Sequence, residues 1–249
     1  MSDVRLVIEE RHARIQLNRH DKLNALSPQL LGELVEICVQ LNKDEAVRVV
    51  VLEGVGASFS AGADLPAFSR DLEASPEKTA DLGRVVCEAL AVLPQITIAA
   101  LRGHCVGGAL VLASACDIRI ASDDCHFWIP ELDAGIPVAW GGMAHLVRLV
   151  GETMAADIVL SRRPFGPDEA LRAGFVSRVI PDADLDTETA LLVASISEKA
   201  ALPLRVAKDQ LKALRNGTFD PRGDAAAMLA AVSDPESGEV FRNYADRLS

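Results

Sequence analysis

Two glycine-bearing turns and one carboxylate are the parts of this sequence best suited to chemistry. Gly62 lies among small residues in the stretch 59–65 (FSAGADL), and Gly107-Gly108 ends an apolar loop where a helix begins. Small side chains let another molecule approach the backbone, and the first N–H groups of a helix lack intrahelical partners. The acid Glu131 follows a proline. These features predict backbone N–H groups that hold a developing oxyanion, with Glu131 moving a proton beside it.

Each of these features also fits a purely structural role. A glycine turn can serve only close packing under a helix, and an acid after a proline can be a surface residue. Other chemistries have less support, because the five histidines show no metal-ligand spacing and no G-x-S-x-G elbow is present. Gly54-Val55-Gly56 lacks the third glycine of a dinucleotide fingerprint. The sequence therefore predicts no bound metal.

The composition is that of an ordinary globular protein. Of 249 residues, 49% are hydrophobic and 24% are charged, and no apolar stretch reaches membrane-spanning length. A net charge of −11 argues against nucleic acid or an anionic membrane surface as the main partner, because both would be repelled. Five scattered cysteines and an N-terminus without a secretion signal favour buried, reduced thiols in a cytoplasmic protein.

Strand and helix signals alternate through the first half of the chain. Residues 4–8 and 13–17 are typical of a hairpin, and Ser27-Pro28 begins an amphipathic helix that ends near Asn42. Residues 69–82 are acidic and polar with weak periodicity, which suggests a mobile surface segment. Further strands are expected at 48–53, 96–101, 117–121 and 125–128, with helices at 85–93 and 109–115. This order indicates an α/β or α+β fold.

The rest of the chain is mainly helical. Helices are expected at 143–150, 153–160 and 167–173, followed by a short strand at 176–180 and helical periodicity from residue 184 onward. We place a boundary near residue 190, between a core that carries the active site (1–190) and a helical region (191–249). Apolar residues of the helical region predict a surface for oligomerisation and for closure of the pocket, although they fit a cap on their own core equally well.

Several motifs together resemble the crotonase (enoyl-CoA hydratase/isomerase) superfamily. They are residues 21–26 (DKLNAL), 59–65 (FSAGADL), 103–109 (GHCVGGA) leading into 116–118 (CDI), 130–137 (PELDAGIP), 163–165 (RPF) and 169–176 (EALRAGFV). The resemblance covers nearly the whole chain. It implies a core spiral of repeated ββα units, a C-terminal helical region that forms a homotrimer or homohexamer, and a coenzyme A thioester as substrate. It implies no cofactor beyond the coenzyme A that is part of the substrate.

The resemblance also implies roles for individual residues. The oxyanion-hole N–H groups would be those of Ala63 and Gly108, which would hold the thioester carbonyl oxygen. The coenzyme A portion of the substrate would lie along Leu23, Ala25, Ala61, Gly62, Asp64, Leu65, Gly107 and Pro130. Arg205, Lys208 and Lys212 are candidate contacts for its phosphates, although each of them singly is more typical of a solvated helix surface.

At one position the sequence departs from the hydratases of this superfamily. They carry two glutamates, and the position of the first is Val111, which cannot position or activate water. A single carboxylate suits the conversion of a 3-enoyl to a 2-enoyl thioester, in which one base, Glu131, moves one proton. The apolar residues expected to line the acyl pocket are Val111, Trp128, Ile136, Val138 and Trp140. Such a pocket would raise the pKa of Glu131 toward neutrality.

Alternatives remain inside and outside this reaction class. A hydratase, a thioester hydrolase or a decarboxylase would use the same oxyanion hole. A non-catalytic acyl-CoA-binding protein would bind the same ligand without turnover and without dependence on Glu131.

Overall fold

Eight strands and eleven α-helices make up the part of the chain, residues 2–248, that a computed structural model describes. The strands are β1 (Val4–Glu9), β2 (His12–Leu17), β3 (Val49–Gly54), β4 (Ile96–Leu101), β5 (His104–Val106), β6 (Ile118–Ser122), β7 (His126–Trp128) and β8 (Arg178–Ile180). The helices are α1 (Pro28–Leu41), α2 (Leu65–Ala74), α3 (Pro76–Val92), α4 (Gly108–Ser114), α5 (Gly142–Val150), α6 (Glu152–Leu160), α7 (Pro167–Arg172), α8 (Leu185–Ser197), α9 (Ala201–Arg215), α10 (Asp224–Ser233) and α11 (Pro235–Asp246). The expected hairpin, α1 and the buried strands are confirmed to within a few residues.

The strands form one large and one small sheet. The large sheet has six strands in the order β1-β2-β3-β4-β6-β8, antiparallel between β1 and β2 and parallel elsewhere. The small parallel sheet pairs β5 with β7. The strands β4 and β6, which are neighbours in the large sheet, each lead directly into a strand of the small one. The chain thus runs twice from a strand of the large sheet to a strand of the small sheet. The first run leads into α4, and the second leads into the short turn at Glu131–Ala134.

Both faces of the large sheet are covered by helices. Val50 and Leu52 of β3 face the main core, while Val49 and Val51 face a second cluster that includes Leu192 of α8. This alternation is the two-residue period of a strand buried on both faces. The near-continuous apolar run of β3 is therefore explained by the two layers that cover it.

The segment 69–82, where the sequence suggests mobility, is helical. It covers most of α2 and the beginning of α3. The Oδ1 atom of Asp64 accepts the N–H of Ala67 at 3.1 Å and caps α2. Phe68 is the buried residue of α2, so the apolar stripe is too short to give a helical period. Residues typical of a helix N-terminus indicate the two helices better than the periodicity does. They are an acid before Leu65-Pro66 and the Ser75-Pro76 pair.

The helical C-terminal region begins on the core. Helix α8 packs on the sheet, and the predicted boundary near residue 190 falls inside this helix. Lys208 of α9 is fully buried, and its Nζ lies 2.5 Å from the Oδ2 of Asp117. Both expectations for Lys208, a contact with coenzyme A phosphates and a place on a solvated helix surface, are therefore wrong, because its charge is already paired inside the core. Within residues 2–248, no helix is long and apolar enough to cross a membrane.

Candidate active site

The first glycine-bearing turn lies directly beside the second. Ser60 forms a parallel bridge with Cys105 of β5, and its N–H donates to the carbonyl oxygen of His104 at 2.8 Å. A Cβ atom on Gly62 would lie 2.7 Å from the carbonyl oxygen of Val106 and 3.9 Å from the nitrogen of Gly108. The close approach therefore requires glycine at position 62, and it brings the backbone of the two turns together.

The second turn presents the first N–H group of α4. Gly107 has a φ of +54°, which favours glycine, and its N–H donates to the carbonyl oxygen of Trp128 at 2.7 Å. Gly108 is the first residue of α4. Across residues 2–248, the N–H groups of Ala63 and Gly108 have no protein acceptor. Both residues line one cavity.

The carboxyl group of Glu131 lies against this second turn. A Cβ atom on Gly107 would lie 2.6 Å from its Oε1 atom. The Oε2 atom is buried and has no hydrogen-bond partner among the described residues. Burial raises the pKa of Glu131, opposed only by a hydrogen bond from its own backbone. The direction is the one expected from the sequence, and it suits a base that takes a proton from carbon.

A cavity of about 470 Å³ joins these groups. Its lining residues are Ala63, Leu65, Phe68, Ser69, Leu72, Ala80, Gly108, Val111, Glu131, Ile136, Pro137, Ala139 and Trp140. Except for the carboxyl of Glu131 and one serine, the side chains of this wall are apolar. An uncharged acyl chain fits such a wall better than a polar ligand does.

Two residues expected in the acyl pocket lie elsewhere. Phe127 of β7 points into the core, so its neighbour Trp128 points to the opposite side, where it is 38% exposed. The Nε1 of Trp128 donates to the carbonyl oxygen of Arg162 at 2.6 Å. Val138 packs toward α5, where a Cβ atom on Gly142 would lie 2.8 Å from its Cγ1. Val111, Ile136 and Trp140 do line the cavity.

Comparison with known proteins decides the family. A model of the enoyl-CoA hydratase/isomerase family matches residues 8–229. The chain belongs to this family. A solved structure of a putative enoyl-CoA hydratase from Thermobifida fusca, in complex with acetoacetyl-CoA, has a TM-score of 0.85 and 31% identity over 93% of this chain and 95% of that one. The predicted α/β crotonase fold is confirmed.

Curated relatives of this enoyl-CoA hydratase/isomerase family member carry different activities in their names. A probable enoyl-CoA hydratase of Mycobacterium bovis is 36% identical over 201 residues, which cover 81% of this chain and 77% of that protein. The mitochondrial Delta(3,5)-Delta(2,4)-dienoyl-CoA isomerase of Rattus norvegicus is 32% identical over 228 residues, covering 86% and 69%. Overall similarity therefore gives the family and leaves the reaction to be argued from the site.

A second cavity opens toward solvent beside the first. It measures about 680 Å³ and shares Ala63 and Leu65 with the apolar cavity. Ala25 and Asp64, both expected along coenzyme A, also line it. The other charged residues of its lining are the cations Arg19, Lys22 and Arg70 and the acids Asp3 and Asp71. In this family member, three of the eight predicted coenzyme A residues, Ala25, Asp64 and Leu65, thus line the open groove.

The remaining predicted residues contribute through their backbone. The carbonyl oxygen of Leu23 accepts the N–H of Ala61 at 2.9 Å, and that of Gly62 accepts the N–H of Leu26 at 2.8 Å. Pro130 begins the short turn that carries Glu131, with its carbonyl oxygen accepting the N–H of Asp133 at 2.8 Å. These contacts hold the groove and the acid in place without lining the cavities.

Two residues that support the first turn escaped the reasoning from sequence. Asn24 is fully buried, and its Nδ2 donates to the carbonyl oxygens of Val55 and Ser58 at 3.0 and 2.8 Å. Arg19 is 2.8 Å from the Oδ2 of Asp64. A polar amide inside the apolar Leu23-Asn24-Ala25-Leu26 run is a signal that indicates such a role for Asn24. Arg19 and Asp64 are too far apart in sequence for any local pattern to pair them.

Proposed function

We propose that this protein is an acyl-CoA isomerase that converts 3-enoyl to 2-enoyl thioesters, with Glu131 as its single acid/base. The observation that carries the proposal is the buried Oε2 of Glu131, which has no hydrogen-bond partner within residues 2–248, in an apolar cavity lined also by Ala63 and Gly108, whose N–H groups have no acceptor in the same range. A base and an oxyanion hole in one cavity suit proton abstraction next to a thioester carbonyl.

The reaction moves one proton and one double bond. Glu131 takes a proton from C2 of the 3-enoyl thioester, and the electron pair of that C–H bond flows toward the carbonyl, giving a dienolate. The N–H groups of Ala63 and Gly108 stabilise the negative oxygen. The electrons then return through C2, the double bond forms between C2 and C3, and C4 takes the proton back from Glu131. No further reactant is needed.

The two cavities, which share Ala63 and Leu65, suit the two halves of an acyl-CoA. The open groove is lined by the cations Arg19, Lys22 and Arg70 and by the acids Asp3, Asp64 and Asp71. Because Arg19 is already paired with Asp3 and Asp64, the attraction for an anionic ligand comes from Lys22 and Arg70. The apolar cavity suits the acyl chain. The thioester carbonyl would then lie near Ala63, which lines both cavities. The relative from Thermobifida fusca, solved with acetoacetyl-CoA, supports this class of ligand.

The second candidate reaction is hydration, which is favoured by the names of several relatives. Hydration needs a group that positions water opposite Glu131. Val111, at the position of the first family glutamate, is 2% exposed and lines the cavity with a side chain that cannot bind water. This residue is the reason for preferring isomerisation.

Product analysis in heavy water tests the choice. Purified protein is incubated with 3-hexenoyl-CoA in D₂O, and the product is examined by NMR and mass spectrometry. Because one buried base carries the proton from C2 to C4, we expect 2-hexenoyl-CoA that retains protium at C4. Incubation with crotonyl-CoA is the control reaction. Rapid formation of 3-hydroxybutanoyl-CoA, with no isomerisation of 3-hexenoyl-CoA, would show that the protein is a hydratase and not an isomerase.

We also propose that the helical region assembles the protein into a homotrimer or a dimer of trimers. Large apolar side chains of α10 and α11 are exposed in the single chain, including Met228 at 65%, Leu229 at 70% and Tyr244 at 63%. Burial of such a patch between subunits is favourable. The lining residues of the apolar cavity all come from residues 63–140, so closure by residues 191–249 stays a prediction. Light scattering after size-exclusion chromatography measures the assembly, and a monomer would contradict it.

A further inference from the structure

The indole of Trp140 is held in the apolar cavity by an unusual backbone. Trp140 has a φ of +59°, and Gly141 after it has a φ of +74°. Bulky residues rarely adopt this left-handed conformation, which persists only where the surroundings enforce it. The ring centroid of Trp140 lies 6.0 Å from that of Phe68, which lines the same cavity.

Two glycines make room for this indole. Gly83 lies inside the 17-residue helix α3, where glycine costs stability relative to alanine. A Cβ atom on Gly83 would overlap the Cδ2 and Cε2 atoms of Trp140. A Cβ atom on Gly108 would overlap its Cζ3 atom. The indole therefore spans the gap between α3 and the beginning of α4, at the residue that carries one of the oxyanion-hole donors.

We infer that Trp140 is the residue that limits the acyl chain length of the substrate, and that Gly83 is required to hold its indole in that position. The inference rests on the proposed binding of acyl-CoA in this cavity, and it adds the specificity of that site. Because the indole is pinned between two helices and Phe68, a longer chain cannot push it aside without disturbing the backbone of Gly108.

The physical consequence is a sharp length limit. Up to the limit, each added methylene gains apolar contact and tightens binding. Beyond it, a methylene must displace a fixed ring, and a misfit of one methylene in an apolar pocket changes recognition by about tenfold. Removal of the indole should therefore move the limit to longer chains, with little change for the shortest ones.

Equilibrium binding of saturated acyl-CoAs, from butanoyl-CoA to dodecanoyl-CoA, tests this without turnover. The proteins are wild type, Trp140→Ala and Trp140→Phe, measured by calorimetry. We expect wild-type affinity to fall by about tenfold or more past a limiting length, and Trp140→Ala to bind those longer chains at least about tenfold more tightly than wild type. Trp140→Phe should lie between them. The matched control is Trp128→Ala, since the indole of Trp128 lies outside the cavity, and it should keep the wild-type length dependence.

A double-mutant cycle tests the role of Gly83. We expect Gly83→Ala to lower the melting temperature in the wild-type background, where the new methyl group collides with the indole. In the Trp140→Ala background it should raise the melting temperature, because alanine is the better helix former. An equal effect of Gly83→Ala in both backgrounds would show that the glycine does not accommodate the ring.

The outcomes separate this inference from the proposed isomerase activity. A Trp140-dependent length limit without isomerisation of 3-hexenoyl-CoA supports the inference and contradicts the activity. Isomerisation with an identical length dependence in wild type, Trp140→Phe and Trp140→Ala contradicts the inference alone. Failure of wild type to bind any of the acyl-CoAs contradicts both.

Discussion

Two buried carboxylates near opposite ends of α4 have opposite surroundings. Glu131 lies at the N-terminal end, beside Gly107, with a raised pKa and an Oε2 that no described residue contacts by a hydrogen bond. Asp117 lies three residues past the C-terminal end. Burial alone would raise the pKa of Asp117, but Lys208, the N–H of Thr97 and Arg215 together hold it below its usual value.

The difference shows how one kind of side chain can serve either structure or chemistry. A buried carboxylate that is fully paired holds distant segments together, and Asp117 joins β4 to α9. A buried carboxylate without a partner is a costly group for the fold. Glu131 is therefore an unfavourable element of the fold and a suitable base. Substitution of Glu131 should reduce activity without loss of stability, whereas substitution of a partner of Asp117 should reduce stability.

The largest expected effect is the loss of activity on Glu131→Gln. The amide cannot accept the proton, so kcat for isomerisation should fall by about 10³-fold. The free energy of unfolding should stay the same or increase, because a buried charge is removed. Steady-state kinetics and urea unfolding measure the two. Glu152→Gln, at the exposed start of α6, is the control and should leave both unchanged. A Glu131→Gln protein that unfolds more easily would contradict the comparison.

The reverse pattern is expected at the other end of α4. Lys208→Met leaves Asp117 buried with one cation instead of two, and removal of a partner from a buried ion pair costs about 3 kcal/mol of unfolding free energy. Lys212→Met, four residues along the same helix and 3.7 Å from Asp209, is the control, with an expected change below about 0.5 kcal/mol. The double variant Asp117→Asn/Lys208→Met should recover part of the loss. If the Lys208 and Lys212 variants were equally stable, the ion pair of Asp117 with Lys208 would not stabilise the fold, and the contrast with Glu131 would be contradicted.

The sequence predicts the site best where the functional residues lie in short local motifs. Gly62, Gly107 and Glu131 lie in local motifs, and the structure brings these motifs to one cavity. The pairing of Asp117 with Lys208 joins residues 91 positions apart. No local pattern indicates such a pair, and the sequence suggested instead that Lys208 lies on a solvated helix surface or contacts phosphate.

The two tryptophans show the same limit of prediction from sequence within the site. Trp128 and Trp140 both looked suitable for the acyl pocket. The alternation of β7 turns Trp128 away from the cavity, whereas a left-handed backbone and a gap left by Gly83 turn Trp140 into it. The gap depends on the packing of α3 against α4, which no period in the sequence reveals.

A smaller effect is expected when a second carboxylate enters the cavity. Val111→Glu supplies the acid that the family hydratases carry, so hydration of crotonyl-CoA should rise by about tenfold relative to isomerisation. The new charge should also raise the pKa of Glu131 further, because like charges disfavour ionisation. Val111→Gln is the control, because glutamine has nearly the same shape as glutamate and carries no charge. If both variants hydrate equally, the missing carboxylate does not decide between the two reactions.

The smallest expected effect is in the pH dependence of stability, where the two carboxylates should differ in sign. The pKa of Asp117 is held below its unfolded value of 3.8, so its contribution to stability is present above that pH and is lost as the pH falls through the folded pKa. The pKa of Glu131 is raised above 4.5, so the folded state holds its proton more tightly. Stability therefore falls as the pH rises from 4.5 through the raised pKa.

Unfolding of wild type and Glu131→Gln in urea across pH 4 to 8 isolates the contribution of Glu131. Well below pH 4.5 the side chain at position 131 is neutral in both proteins, folded and unfolded, so the difference between their unfolding free energies should be independent of pH there. The variant should become more stable than wild type as the pH rises through the raised pKa of Glu131. The activity of wild type should increase over the same interval, because the base must lose its proton to act. A stability difference that does not vary with pH would mean that Glu131 is as well accommodated as Asp117, and the distinction between the two ends of α4 would disappear.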